Sequence, residues 1–330
     1  MLALGWKASA EQFDPKRLLE YAVLAEELGF DSIAVSDHFH PWRDHGGHAP
    51  FAFSWLGAVA AKTSRARLGT SVVTPSFRYH PALVAQAMAT ISYFAPGRVF
   101  LGLGSGESMN ETPLSTTDWP EPGERLRRLR EAVKLIKQLW SEDYVTFDGK
   151  YFHTRAAKLF DKPPQPIPLL IAAGGPQAAT FAGREGDGII VTSGKGADLY
   201  RDTLIPAMEK GARESEKDLT KLERMIEMKV SFDHDRARAF EDTKEWAALA
   251  LPAEDKAGVE DPREMERRAK AGADKAHTRF IVSTDAEEHI AKIQPYLDWG
   301  FNHLVFHFPG QDQERAMRLY AKEILPRLQR

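Results

Sequence analysis

The 330-residue chain contains no cysteine. That absence excludes a disulfide scaffold, a thiolate nucleophile and iron–sulfur ligation by this chain. A large net charge is also missing: 44 basic against 47 acidic side chains leave a formal charge of −3. This balance gives no global pull toward nucleic acid or an anionic membrane, so any anion must be held by a local cluster. No hydrophobic run approaches the roughly 20 residues of a membrane span. The apolar stretch at Met1-Leu2-Ala3-Leu4 is too short for a signal peptide. Internal repeats and low-complexity tracts are lacking as well. The expectation is a soluble, cytoplasmic protein. What is present is 43% hydrophobic and 28% charged residues, a mixture that supports a large core.

The hydrophobic residues fall in short runs that each stop at a polar or glycine-rich corner. Ser32-Ile33-Ala34-Val35 stops at Ser36-Asp37-His38, and Leu68-Gly69-Thr70-Ser71-Val72-Val73 at Thr74-Pro75. Val99-Phe100-Leu101-Gly102-Leu103 stops at Gly104-Ser105-Gly106-Glu107. Pro168 to Ala173 stops at Gly174-Gly175-Pro176, and Gly188-Ile189-Ile190-Val191 at Thr192-Ser193-Gly194-Lys195. Strands of a parallel sheet buried on both faces need not alternate, and they read this way. Helix-like stretches follow most of them. The pattern predicts an α/β chain folded as a (β/α)8 barrel, whose corners meet at the rim where chemistry happens.

Strands are expected at residues 2–8, 32–36, 67–73, 98–104, 168–173, 187–192, 225–232 and 303–308. Asp14-Pro15 opens the first helix with an N-cap and a proline at the first position, and Gly29 ends it. Helices are also expected near 53–63, 81–94 and 123–140. In the last, Leu126, Leu129, Val133, Ile136 and Trp140 share a face, and Arg125, Arg127, Arg128 and Arg130 read as a solvated one. Asp148-Gly149 between Val145, Phe147, Tyr151 and Phe152 predicts a hairpin over 143–153. Residues 246–280 break the rhythm with a Trp246-to-Pro252 loop, charged helical pieces and Phe280-Ile281-Val282. The whole of 1–330 is expected to form one domain, with excursions near 37–53, 105–122, 143–166 and 246–280 at the C-terminal face of the barrel.

Several corners could carry chemistry. His38 follows the second strand, where an imidazole suits proton transfer because its unperturbed pKa of about 6.5 lies near cellular pH. A hydrogen-bonded structural histidine is the plainer alternative. His38, His40, His45 and His48 crowd one loop, but their spacing matches no metal motif, so no metal is expected. Trp42 reads either as an aromatic wall for a flat ligand or as a packing residue. The glycines at 102, 104 and 106 do not make the dinucleotide fingerprint, but they let backbone approach a ligand closely. Glu107 stands at the tip of that strand, as a proton acceptor or as a surface cap. The free amides behind Gly174-Gly175-Pro176 suit an anion, or make a plain helix start. Thr192-Ser193-Gly194-Lys195-Gly196 fails the P-loop pattern, yet Lys195 could grip a phosphate. Nothing in their local spacing marks Lys256 or Arg279.

Taken together, several segments carry a family resemblance. They are Lys7-Ala8-Ser9-Ala10-Glu11-Gln12-Phe13, Ser36-Asp37-His38-Phe39, Gly46-Gly47-His48-Ala49-Pro50-Phe51 and Leu68-Gly69-Thr70-Ser71-Val72. Further along lie Arg98-Val99-Phe100-Leu101-Gly102, Ile171-Ala172-Ala173-Gly174-Gly175-Pro176, Thr192-Ser193-Gly194-Lys195-Gly196 and Trp299-Gly300-Phe301-Asn302-His303-Leu304-Val305-Phe306-His307. Over nearly its whole length the chain resembles the F420-dependent glucose-6-phosphate dehydrogenases of the luciferase-like barrel superfamily. The first segment and the Thr-Ser-Gly-Lys segment are specific to the sugar-phosphate branch.

The resemblance implies an oxidoreductase of carbohydrate metabolism that binds the deazaflavin coenzyme F420. It would transfer a hydride from C1 of a sugar 6-phosphate, foremost glucose 6-phosphate, giving the lactone. The implied catalytic residues are His38, Glu107 and Trp42. Glu107 is assigned as proton acceptor and His38 as donor or charge stabiliser, roles that the sequence leaves exchangeable. Implied cofactor contacts are Asp37, Thr74, Ser105, Gly106, Asn110, Gly174, Gly175, Gln177 and Ala178, with a non-proline cis peptide at Ser71-Val72 behind the ring. The sugar-phosphate grip falls on Thr192, Lys195, Lys256 and Arg279. A homodimer is implied, with no nucleic-acid or membrane partner. Ser105 replaces the family's more usual threonine, and the stretch Met109–Arg125, including Thr112 to Thr117, is shorter and differs. The choice among glucose, mannose and fructose 6-phosphates therefore stays open. The alternatives are an F420-dependent secondary-alcohol or hydroxy-substrate dehydrogenase, an FMN-dependent monooxygenase and a non-catalytic flavin-binding protein. Three cations argue against a small alcohol, which gives them nothing to neutralise.

Overall fold

A computed structural model describes residues 2–115 and 118–328. Thr116 and Thr117, within the divergent stretch noted above, lie outside the described residues, as do Met1, Gln329 and Arg330. Strands β1 (Ala3–Ala8), β2 (Ser32–Val35), β3 (Arg67–Thr70) and β4 (Val99–Leu103) alternate with helices α1 (Pro15–Glu27), α2 (Ala52–Lys62) and α3 (Pro81–Phe94). After β4 come a short α4 (Ser108–Glu111) and a long α5 (Pro122–Ser141). Next are β5 (Leu169–Ala172), α6 (Pro176–Glu185), β6 (Gly188–Thr192), α7 (Ile205–Glu214) and β7 (Glu223–Phe232). Helices α8 (Arg236–Glu241), α9 (Ala253–Lys256) and α10 (Pro262–Ala269) precede β8 (Ile281–Ser283). The chain closes with α11 (Ala286–Asp298), β9 (His303–His307), α12 (Gln313–Glu323) and α13 (Leu325–Leu328).

Eight of the nine strands close a parallel barrel in the order β1-β2-β3-β4-β5-β6-β7-β9, with β9 returning to β1. The ninth, β8, among the described residues pairs only with the end of β7, Val230 to Phe232, beyond the barrel. The Phe280-Ile281-Val282 run within the long excursion is therefore in part a strand that lies beside the end of β7. Residues 242–250, expected as a loop from Trp246 onward, wind instead as 3₁₀ turns with a kink at Trp246.

Side-chain alternation explains why the strand runs look hydrophobic throughout. Leu4, Ile33, Leu68, Leu101, Ile171, Ile189, Ile226 and Leu304 belong to the large core that includes the helices. Ala34, Phe100, Leu170, Ile190, Met225 and Val305 form a separate cluster inside the barrel. Gly69 leaves room for Phe100, since a Cβ there would stand 2.4 Å from that ring. Below this apolar layer, Glu223 joins Arg67 (2.8 Å), His303 (2.5 Å) and, through His303, Ser32. Above it, the ion pair of Lys7 and Glu227, with His307 beside it, makes a polar layer toward the C-terminal rim. On β7, residues 223, 225, 227 and 229 thus step through every layer.

Two expectations change at the periphery. The hairpin expected over 143–153 is present but runs on to Ala157, its arms joined by Val145 with Ala157, Phe147 with Thr154 and Asp148 with His153 and forming no regular strand among the described residues. Its turn lies beyond Asp148-Gly149, because the Glu131 carboxylate accepts from the amides of Lys150, Tyr151 and Phe152. The arginines of α5 are not all solvated. Arg125 covers Trp119 and Arg128 covers Tyr151, with cation-to-ring distances of 4.7 and 4.6 Å. A guanidinium is weakly hydrated and stacks on aromatic faces.

Candidate active site

The corners at the strand ends converge on one cavity of about 510 Å³ at the C-terminal mouth of the barrel. His38, Trp42 and Glu107 all line it, as do Asp37, Ser71, Val72, Thr74, Ser105, Gly106, Asn110 and Gly174. Thr192, Lys195, Lys256 and Arg279 line it too. Gly175, Gln177 and Ala178 do not; Gly175 follows Gly174 as the N-cap of α6, and Gln177 and Ala178 lie on its first turn. The Ser71–Val72 peptide is cis, as the resemblance implied.

The imidazole of His38 is clamped from both sides. Its Nε2 lies 3.1 Å from the carboxylate of Glu11, and the Ser36 hydroxyl donates to the other oxygen of that carboxylate at 2.6 Å. Burial opposes ionisation of Glu11, but the charges of His38 and Lys7 more than offset it and hold its pKa below the usual carboxylate value. At Nδ1, the Asn110 amide nitrogen stands at 3.2 Å and the His40 carbonyl at 3.3 Å. Asn110 is fixed in this orientation because its carbonyl accepts from the amides of Phe39 and His40. A neutral ring can accept from Asn110, and a protonated ring can donate to His40. Nδ1 therefore has a partner in either form of the ring, Asn110 in one and His40 in the other.

Glu107 differs. It is exposed at the N-terminus of α4 and makes no side-chain cap bond there, so a role as loop cap is not what holds it. Asp37 is buried and already engaged. Arg78 donates to it at 2.7 Å, Tyr79 at 3.0 Å, and Arg78 also reaches Glu111 at 3.3 Å. Burial nevertheless raises the pKa of Asp37 and of Glu111.

On the opposite wall, the Thr192–Lys195 turn is clasped by Tyr200. Its hydroxyl donates to the Thr192 carbonyl at 2.7 Å and accepts from the Lys195 amide at 3.1 Å. The Arg279 carbonyl lies near Gly194, at 3.5 Å from where a Cβ would be. Burial lowers the pKa of Lys256, with Arg279 and Lys195 pushing it the same way through their like charge. The Nε of Arg279 is buried without a hydrogen-bond partner among the described residues. The three cations expected to grip a phosphate thus share one field.

Sequence reasoning missed Lys7, Glu11, Glu227, Lys229, His307 and Trp246, all of which line the cavity. Lys7 reaches Glu227 at 2.9 Å and the Ser71 carbonyl at 2.5 Å. For Glu227 and Lys229 the available signal was two charges two residues apart inside the apolar run of β7. Among the described residues, no three His, Cys, Asp or Glu side chains gather as a metal site would require.

Residues 3–303 match the luciferase-like monooxygenase family model, and the chain belongs to that family. Among curated relatives, an F420-dependent glucose-6-phosphate dehydrogenase of Beutenbergia cavernae is 57% identical, covering 99% of this chain and 98% of its own. One of Amycolatopsis mediterranei is 54% identical over 99% of both chains. Among solved structures, an F420-dependent secondary alcohol dehydrogenase in complex with an F420–acetone adduct superposes with a TM-score of 0.91. It is 36% identical and covers 98% of both chains. The F420-dependent tetrahydromethanopterin reductase of Methanopyrus kandleri, 22% identical at a TM-score of 0.80, shares the fold.

Proposed function

We propose that the chain is a coenzyme F420-dependent glucose-6-phosphate dehydrogenase, a barrel enzyme of carbohydrate metabolism acting on the C1 carbon of a sugar 6-phosphate. The observation that carries this reading is the convergence of Lys195, Lys256 and Arg279 on the cavity that also holds His38 and Glu107. The relatives' names point the same way.

The residues present fit a flat deazaflavin. Val72, Ser105, Gly106 and Asn110 line one part of the cavity, with Trp42 and His38 beside them. Gly106 has a φ of +89°, and a Cβ there would press within 2.9 Å of Trp119. No side chain caps α6, and nothing stands within 4 Å of a Cβ at Gly174 or Gly175. Backbone amides there, with Gln177 and Ala178, suit an anionic part of the coenzyme. When bound, the coenzyme supplies the hydride acceptor. Glu107 takes the proton from the C1 hydroxyl. His38, backed by the ionised Glu11, balances charge that develops beside it. Thr192, Lys195, Lys256 and Arg279 hold the phosphate and so fix the distance of C1 from the reacting centre.

The proposed domain is the whole of 1–330, one barrel carrying the excursions near 37–53, 105–122, 143–166 and 246–280. Among the described residues, no helix is long and apolar enough to cross a membrane. A cytoplasmic homodimer follows from the family resemblance.

The test is a bleaching assay with oxidised F420. Glucose 6-phosphate should bleach the coenzyme and isopropanol should not. Bleaching by isopropanol alone would favour a secondary-alcohol dehydrogenase, and a preparation loaded with FMN would favour a monooxygenase.

A further inference from the structure

Of the two lysines on the inner wall of the barrel, one is paired and one is not. Lys7 holds Glu227 at 2.9 Å. Lys229, two residues beyond Glu227 on β7, is only 4% exposed. Its ammonium donates to the Ser193 carbonyl at 2.9 Å, and among the described residues no carboxylate lies within 4.0 Å of it. An ammonium has three donors, and a buried one is rarely left without a counter-charge. Lys229 also lines the cavity.

The groups facing it explain the imbalance. From β1 comes Lys7, from β9 His307, and from its own strand Glu227, whose charge Lys7 already neutralises. From the turn after β6 comes Lys195, and from the segment before β8 Arg279. Lys256 couples to the same Lys195 and Arg279. The β6–β7 wall therefore carries more positive than negative charge.

We propose that Lys229 is a further substrate-binding residue, whose ammonium donates to a phosphate oxygen of the sugar phosphate from the β7 wall, beside Lys195 and Arg279. The assignment rests on the dehydrogenase reading above. Its consequence is a proton linkage. Burial pushes Lys229 down to about 8; Glu227 opposes the shift, while Arg279, Lys195 and Lys7 reinforce it. A bound dianion stabilises the charged form, so glucose 6-phosphate binding near pH 8 takes up about half a proton at Lys229. The substrate phosphate, with a second pKa of about 6, is already dianionic there.

The experiment titrates the F420-loaded enzyme with glucose 6-phosphate by calorimetry at pH 8, in buffers of different ionisation enthalpy, and measures steady-state bleaching in parallel. The wild type should take up protons. K229M should lose that uptake and raise KM for glucose 6-phosphate roughly ten- to hundredfold, with the smaller share of the loss in kcat and F420 affinity intact. K229R keeps its charge at pH 8, so it should bind the sugar phosphate yet lose the uptake, whereas K256M should retain it. Turnover of glucose 6-phosphate with an unchanged KM in K229M would overturn this inference alone. So would proton uptake that persists in K229R, equal losses of F420 and sugar-phosphate affinity in K229M, or a wild type that binds without uptake. A wild type that does not bind glucose 6-phosphate would overturn the dehydrogenase reading with it.

Discussion

At the scale of single residues, the two groups proposed to handle protons are held differently. His38 is fixed by Glu11 and Asn110, whereas Glu107 is exposed and without a capping bond. Glu107→Gln should lower kcat about 10²- to 10⁴-fold, the usual range for losing a general base. Unaltered turnover would remove its role. Glu11→Gln removes the counter-charge behind His38. It should lower kcat at least about tenfold while leaving F420 affinity within a factor of about three; fluorescence titration of the coenzyme checks the second half. Lys195→Ala should raise KM for glucose 6-phosphate far more than it lowers kcat, and should leave KM for glucose unchanged. The sequence exposed His38, Glu107 and Lys195 because each follows a hydrophobic run at a corner. Glu11, Glu227 and Lys229 stayed hidden because their importance comes from neighbours brought in by other strands. Lys229 is 36 residues from Ser193, whose carbonyl it holds.

At the scale of elements, connections are fixed by single carboxylates. Glu26 at the end of α1 accepts from the amides of Ser64, Arg65 and Ala66, which lead into β3. Burial opposes its ionisation, but the amides of Ala66, Ser64 and Arg65 more than compensate and its pKa is lowered. Glu26→Ala should cost about 1–3 kcal/mol in urea unfolding, because the buried Ala66 amide and the neighbouring Ser64 and Arg65 amides lose their acceptor; a change below about 0.3 kcal/mol would contradict this. The barrel strands were legible because burial on both faces makes continuous apolar runs. Strand β8 was not, since three residues within a charged excursion carry no periodicity. The 143–153 turn was misplaced because the deciding acceptor, Glu131, comes from α5.

At the scale of the whole molecule, buried ion pairs tie the barrel's interior to pH. Glu223 is lowered to about 2: burial opposes this, but His303 and Arg67 prevail. Glu227 is also depressed, with Lys7 and His307 overcoming burial. Such groups stabilise the fold above their unfolded value of about 4.3, and this stability is lost as pH falls through the folded value. His289, pushed down to about 3 by burial, acts with the same sign from about pH 6.5 downward. Unfolding free energy should therefore fall steadily from about pH 6 to pH 2, and Glu223→Gln should flatten the lower part of that slope. A stability that is flat or rises toward pH 2 would contradict the charged interior. On the proposed reading, function at this scale depends on one cavity holding a hydride acceptor and a phosphate at a fixed separation. Its most direct measurement is the ratio of kcat/KM for glucose 6-phosphate to that for glucose, with oxidised F420. Charge-assisted bonds from several cations predict a preference of about 10³ or more; rates within about tenfold of each other would contradict the account.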